Sequence, residues 1–551
     1  MLDAHSPYRL HFAQNACLIV LSLLFLPLST FILLAGYIAR PFLSNENAAR
    51  KRIRRGASDG NPGFRPKTIL VTGVGMTKGL FLARTFYKAG HNVIGADFEP
   101  NGIPVCGRFS KALRRYYSLP KPNEKVGAAY YIDALLHVVK KENVDLWVSC
   151  SGVASAVEDG QAKEVLERSS DVRCIQFDVW TTQMLHEKDT FIAQTGRLGL
   201  PTPETHNVTS RAAVHKVLHD SPRTKKQYIM KSVGMDDASR ADMTILPKRT
   251  VSETYNHVSG IPISGKKPWV LQQFIKGREY CTHALIVSNE VKAFVACPSS
   301  ELLMHYEALP PDSALSRAML RFTEEFVKRS AADMTGHLSF DFLIEEAVSE
   351  KGAQLALLPI ECNPRAHTAV VLFRGQEIAM AHAYLTALTP RPSGLEERPN
   401  HINDAESDIY PVTPTKPRPN INGSASQPPS PLSAPTPITP LPNPPRTYWL
   451  GHDIVTLLLL PLLPILLLLR PNNKKNNNRL TARAYLRAYL RHCATFLTHV
   501  LSWRDGTFEL WDPAPAWWLY CGYWPGMFAR MLLGGERWSR VNVSTGKVFG
   551  C

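Results

Sequence analysis

Apolar and polar positions alternate with period two through several stretches of the chain, most sharply in "LALLPIECNPRAHTAV", Leu355 to Val370. It opens as an apolar strand and then sets Glu361, Asn363, Arg365 and His367 at every second position, on one side of an extended backbone. Upstream, "HLSFDFLIEE" turns Leu338, Phe340, Phe342 and Ile344 to one face and Asp341 to the other, and "AVSEKGAQ" reads as the turn of a hairpin. Pairing these strands brings Asp341, Glu361 and Asn363 together. Three hard oxygen donors of this kind suit Mg²⁺, or Mn²⁺, bridging phosphates.

The same patterning divides the rest of the chain. Within residues 1–66, Ala16 to Ala39 is uncharged and long enough for a bilayer-crossing helix, and its apolar run is too long for a cleaved leader, so a membrane anchor is expected. Arg9 alone precedes it, whereas Arg40 and "RKRIRR" (Arg50 to Arg55) follow, which keeps the main body on the cytoplasmic side. In residues 67–180, "TILVTGV" reads as a buried strand, "TKGLFLARTFYKAG" as an amphipathic helix closed by Gly90, and "HNVIGAD" as a second strand ending in Asp97. That repeat predicts a doubly wound α/β domain.

Residues 181–388 read as mixed α+β, and 389–446 as a Pro/Ser-rich disordered linker without the apolar content for a core. In 447–551, Ile454 to Leu469 is short for a span and holds Pro461 and Pro464, so a re-entrant or interfacial segment is expected. Arg479, Arg483, Arg487 and Arg491 then share one helical face. Such a helix suits a membrane surface or docks on its own protein with the arginines in water, and the aromatic "WWLYCGYW" fits either.

Composition narrows the classes. A chain of 551 residues with 44% apolar content has material for several cores. The net charge of +16 gathers beside hydrophobic segments without interleaved aromatics, which argues for an anionic membrane surface and against nucleic acid. The 10 cysteines form no CxxC pair or metal spacing and fit reduced thiols in the cytosol. "GVGMTKG" followed by Asp97 invites a dinucleotide reading, but Lys78 stands where the third glycine belongs, and a tight structural turn is the simpler account.

Elements of a nucleotide site precede the hairpin. "KPWVLQQFIKGREY" is a strand ending in Gln272 and Gln273, then Phe274 and Ile275, then Glu279. It suits an adenine-binding hinge with a ribose carboxylate. Lys188 and Lys231 are candidate phosphate contacts. In this order the elements resemble the ATP-grasp superfamily, and the chain is most similar there to the mycosporine-glycine synthases. The resembling stretches are "TGVGMTKGLFLARTFYKAGHNVI", "QYIMKSV", "KPWVLQQFIKGREYCTH", "GHLSFDFL", "IECNPRAHTAV", "RTYWLGHDI" and the C-terminal "FELWDPAPAW" through "WSRVNVSTGKV".

The resemblance implies a pre-ATP-grasp domain followed by an ATP-grasp domain, using ATP and Mg²⁺. Lys188 and Lys231 would contact phosphates, Gln272 to Ile275 the adenine and Glu279 the ribose. Asp341, Glu361 and Asn363 would hold the metal, Arg365 would face the transferring phosphate, and His367 the substrate. It further implies 4-deoxygadusol as the cyclohexenone acceptor and glycine as the amine. An ATP-grasp carboxylate–amine ligase working through an acyl phosphate is the alternative.

Overall fold

The computed structural model describes residues 6–43, 50–51, 53–54, 64–99, 101–123, 125–150, 152, 155–220, 226–232, 244–299, 304–349, 352–389, 436–443, 446–462, 465 and 478–550. The run "TILVT" is β1 (Thr68–Thr72), the centre of a parallel sheet with β2 (Asn92–Phe98), β3 (Arg115–Leu119), β4 (Leu146–Val148) and β5 (Arg173–Ile175), in the order β3-β2-β1-β4-β5. Helix Thr77–Lys88 packs Phe81, Leu82 and Phe86 against Ile69 and Val71 on one face. Helices Ala129–Glu142 and Ala156–Ser169 cover Leu70 and Ile94 on the other. Layers on both faces explain why these strands carry near-continuous apolar runs.

The turn after β1 is closed from within. Asp97 accepts the amides of Gly75 (2.6 Å) and Phe98 (2.7 Å), so its carboxylate braces the turn instead of waiting for a ribose. A Cβ on Gly79 would lie 2.2 Å from the Gly73 carbonyl oxygen. Close helix–strand packing therefore falls to Gly79, one position later than the dinucleotide pattern, and Lys78 is released to point elsewhere. Gly79→Ala is expected to cost about 1–3 kcal/mol by overpacking. Gly196→Ala, in helix Lys188–Arg197 where a Cβ meets nothing within 4 Å, should be neutral or stabilising, and thermal melts compare the two.

Next come β6 (Thr205–Val208), β7 (Tyr228–Ser232), β8 (Ile245–Leu246) and β9 (Trp269–Gln273), an antiparallel sheet in the order β6-β9-β7-β8. The third sheet joins β10 (Gly277–Val287), β11 (Glu290–Pro298), β13 (Gly336–Ser349) and β14 (Gly352–Asn363) in the order β11-β10-β13-β14. Its apolar face, with Phe340 and Phe342, sits on Met319, Phe322 and Phe326 of helix Ala314–Arg329. The β13–β14 hairpin forms as the alternation predicts, but with a tighter turn: Ala347 to Ser349 and Gly352 to Gln354 continue the ladder.

The C-terminal segment closes on the first domain. β12 (His305–Tyr306), β15 (Thr447–Tyr448) and β16 (Arg504–Asp505) make a small sheet, and β17 (Trp538–Asn542) pairs with β18 (Lys547–Gly550). Trp449 is fully buried and donates its indole N–H to Thr77 Oγ1 at 3.2 Å. Asp512, also buried, accepts from Arg84 Nε (2.8 Å), Ser110 Oγ (2.6 Å) and the Lys111 amide (2.8 Å).

Residues 390–435 of the expected linker lie outside the described residues. Its end is bound: Ile438 donates to the Lys292 carbonyl (2.9 Å) and accepts from the Phe294 amide (2.8 Å), covering the outer edge of β11. The N-terminal helix runs unbroken through Pro27, from Tyr8 to Leu43. It is long and apolar enough to cross a membrane by length and composition. One flank is covered by the aromatic tail, with Trp538 donating to Asn15 Oδ1 (3.0 Å) and Trp517 to Thr30 Oγ1 (3.1 Å). The tail thus takes the docking alternative. Part of the basic cluster is spent internally as well: Arg50 and Arg54 donate to the His91 and Gly90 carbonyls (2.9 and 2.8 Å), just past the C-terminus of helix Thr77–Lys88, where cations are favoured.

Candidate active site

The polar face of the β13–β14 hairpin carries the site. Asp341 and Glu361 are directly opposed across the ladder, and a bulge follows Asp341. Two carboxylates in that register repel each other unless a cation sits between or beside them. Asn363, opposite Ser339, donates to Asp341 Oδ2 at 3.2 Å. Burial, and then Glu361 and Glu279, push the Asp341 carboxyl well above its usual range. Glu279 lies across from Leu343 in the neighbouring strand, on the same face as Asp341.

Cations ring these acids. Lys188, first residue of its helix, reaches Glu361 at 3.3 Å. A lysine at the positive end of a helix dipole is poorly placed without an anion. Lys231 donates to Gln272 Oε1 at 2.7 Å, and Gln272 in turn donates to Thr205 Oγ1 at 3.3 Å. Burial pulls the Lys231 ammonium down to about 8, with Lys188 adding to the effect. Arg365 donates to Asn363 Oδ1 at 3.0 Å through Nη2, while its buried Nε has no hydrogen-bond partner among the described residues. A guanidinium held beside the Asp341 and Glu361 carboxylates with an unused N–H is suited to a further anionic oxygen.

The hinge lies between β9 and β10. The Gln273 amide donates to the Glu204 carbonyl (2.8 Å) and the Phe274 amide to the Gln227 carbonyl (2.7 Å), while Ile275 is buried. These bonds hold the hinge backbone from both sides, towards β6 through Gln273 and towards β7 through Phe274. β10 then starts at Gly277, where a Cβ would meet the Ile344 carbonyl oxygen at 1.8 Å, so only glycine lets the strands pair here. Glu279 is exposed and accepts from Ser299 Oγ at 2.8 Å.

The expected period-two set is only half extended. β14 ends at Asn363, and the Arg365 amide folds back onto the Asn363 carbonyl (2.8 Å). Arg365 rejoins the acids from a turn. His367 does not: its Nδ1 accepts the Ala369 amide at 3.2 Å, capping the short helix Thr368–Phe373, and its ring lies buried beside Tyr306. Among the expected residues it stands apart as a structural cap.

Lys78 was legible only as a broken glycine pattern, yet it reaches the turn that carries Arg365. Its buried Nζ donates to the Ala366 carbonyl at 2.8 Å, between Arg365 and His367, and burial, with Arg365 next, pulls it down to about 7. A lysine within an otherwise buried helix start was the available signal. Thr205, on β6, and Ser299, just past β11, hold Gln272 and Glu279 and gave none.

In sequence the chain matches no family model and no curated protein. In structure it is similar to the L-amino acid ligase from Bacillus licheniformis, at 15% identity and a TM-score of 0.40 over 58% of this chain and 75% of that one. It is similar to the N5-carboxyaminoimidazole synthetase from Staphylococcus aureus complexed with ADP, at 13% identity and a TM-score of 0.42 over 58% of this chain and 77% of that one. It is also similar to a biotin carboxylase from Campylobacter jejuni, at 15% identity and a TM-score of 0.43 over 60% of this chain and 72% of that one.

Proposed function

We propose that the chain is an ATP-dependent ligase of the ATP-grasp type, which phosphorylates an oxygen of its acceptor and replaces it with an amine nitrogen. The observation that carries this reading is the convergence of Asp341, Glu361 and Asn363 on one strand face with Lys188 and Arg365 bonded into it. By sequence resemblance the acceptor is 4-deoxygadusol and the amine glycine, giving mycosporine-glycine, ADP and phosphate. A carboxylic acid acceptor, activated as an acyl phosphate, would use the same site.

The donor set fits Mg²⁺: two carboxylates and an amide oxygen, all hard ligands, in a register that is repulsive on its own. Asp341, Glu361 and Asn363 would hold the ion, which supplies charge neutralisation on the phosphates it bridges. Lys188 and Lys231 would grip phosphate oxygens. Arg365 would stabilise the charge that develops on the transferring group, and Gln272 to Ile275 with Glu279 would seat the nucleoside. Displacing an unactivated enol or carboxylate oxygen expels a poor leaving group, and phosphorylation turns it into a competent one.

The Lys231 ammonium makes a proton-linked prediction. Its folded-state pKa, about 8, lies below the value of about 10.4 for a free lysine. The charged form is therefore penalised in the fold below about pH 8, and the penalty fades as pH rises from there towards 10. A bound phosphate raises this pKa, so ATP binding near pH 8.5 should take up a proton. Calorimetry in buffers of different ionisation enthalpy measures it, and Lys231→Met should abolish the uptake.

The N-terminal helix presents exposed Leu24, Phe31 and Ile38 on the flank that the tail leaves open, and Arg483, Arg487 and Arg491 are exposed on helix Asn478–Ser502. These support seating at an anionic membrane, with the catalytic domains in the cytoplasm. The test of substrate class is an assay with ATP, Mg²⁺ and each amino acid, offering 4-deoxygadusol or carboxylic acids. ADP with a red-shifted enaminone chromophore supports the cyclohexenone reading. ADP with carboxylic acids alone moves the assignment to acyl phosphate chemistry.

A further inference from the structure

A second polar cluster lies away from the phosphate site, where the C-terminal segment meets the catalytic lobe. Asp453, fully buried, receives His305 Nε2 on one carboxylate oxygen at 2.8 Å and His499 Nδ1 on the other at 2.6 Å. The donor atoms of all three lie within 4.8 Å of one another. The imidazole of His452, beside Asp453 in the chain, stands with its centroid 5.8 Å from that of His305. Trp503 closes the cluster, its ring 4.2 Å from that of His499.

We propose that His305, Asp453 and His499 form a structural site for a divalent transition-metal ion of the zinc class, with His452 within reach as a fourth ligand. Imidazole nitrogens and one carboxylate are the donors such ions prefer, whereas Mg²⁺ prefers oxygen alone. Donors around a tetrahedral ion with bonds of ~2.0–2.1 Å stand roughly 3.3 Å apart, so the cluster admits the ion once its donor separations change by roughly 0.5–1.5 Å.

The surroundings explain what the ion would do. The three residues come from β12, from helix Leu450–Asp453 and from helix Asn478–Ser502, segments far apart in sequence. The sheet that joins this region, β12-β15-β16, has strands of two residues each. Pairing that short contributes little by itself. An ion bound by all three segments would fasten the C-terminal segment to the lobe carrying the phosphate site, as structural zinc does by adding its binding energy to the folded state.

The test uses the full chain purified in detergent. Metal analysis after desalting should find about one equivalent of zinc per chain. Replacement by Co²⁺ should give the visible absorption of a tetrahedral site, and excess Mg²⁺ should not displace it. His305→Ala, His499→Ala and Asp453→Asn should each lower zinc affinity at least tenfold, with circular dichroism reporting that the fold persists. Cobalt absorption of the unaltered chain keeps the test valid if a variant fails to fold. A chain that holds no stoichiometric metal after exposure to Zn²⁺, and whose Tm does not move with a chelator, carries a hydrogen-bonded His–Asp–His cluster only. That outcome overturns the proposal, as does metal retained equally by all three variants.

Discussion

Asp341→Asn is expected to lower ATP-dependent product formation by about 10²–10³-fold, the cost typical of losing one preorganised electrostatic contact to a transferring group. The same change should leave Tm unchanged or raise it. The two effects have one cause. Burial, Glu361 and Glu279 all raise the Asp341 pKa in the fold. A carboxyl so shifted costs no stability below its unfolded value of about 3.9, and the cost grows as pH rises through the folded pKa and is complete above it. At neutral pH an amide keeps the shape and removes the repulsion. Measured without Mg²⁺, a more stable and inactive Asp341→Asn would mark a site that gives up stability for function. Glu361→Ala should lose activity comparably and also free Lys188 from its 3.3 Å partner.

The second large effect is structural and concerns a buried ion pair outside the candidate site. Arg84→Ala or Asp512→Ala should destabilise the fold by about 3–5 kcal/mol, because either leaves a buried charge without its partner. The loss should lower Tm by roughly 10 °C at the sensitivity of larger domains. Arg84 also donates to the carbonyls of Thr507 (2.8 Å) and Asp512 (2.9 Å), so its removal strands those acceptors too. Replacing both residues together by apolar ones of similar volume should recover only the stranded-charge part of the loss, because the Thr507 carbonyl, Ser110 Oγ and the Lys111 amide stay without their partners. Thermal melts of the two single variants and the double variant separate the cost of a stranded charge from the worth of the pair.

The parts of the fold legible in the sequence are those whose pattern is local. β1, β2 and helix Thr77–Lys88 follow from apolar runs and period, and the β13–β14 hairpin follows from alternation that puts Phe340 and Phe342 on one side and Asp341 on the other. The convergence of Asp341, Glu361 and Asn363 was legible for the same reason, since two paired strands fix their mutual register. Arg365 and His367 mark the limit. Alternation places them with Glu361 and Asn363, but the chain leaves the strand at Asn363, and only Arg365 is long enough to return.

Contacts between distant segments had no such signal. Lys78 to Ala366, Trp449 to Thr77 and Asp512 to Arg84 each span most of the chain, and nothing local marks their partners. The basic cluster carries a second use of the same kind that composition does not reveal. Arg50 and Arg54 meet carbonyls at a helix end, a use that depends on where the helix stops in space.

In the proposed reaction an acceptor oxygen is phosphorylated before the amine displaces it. Oxygen-18 placed on the displaced oxygen of whichever acceptor gives ADP, and followed through a single turnover, tests that order. The label should leave in inorganic phosphate, in one-to-one correspondence with ADP, and Asp341→Asn should form neither. Label released as water, with ADP formed independently of product, would contradict that order.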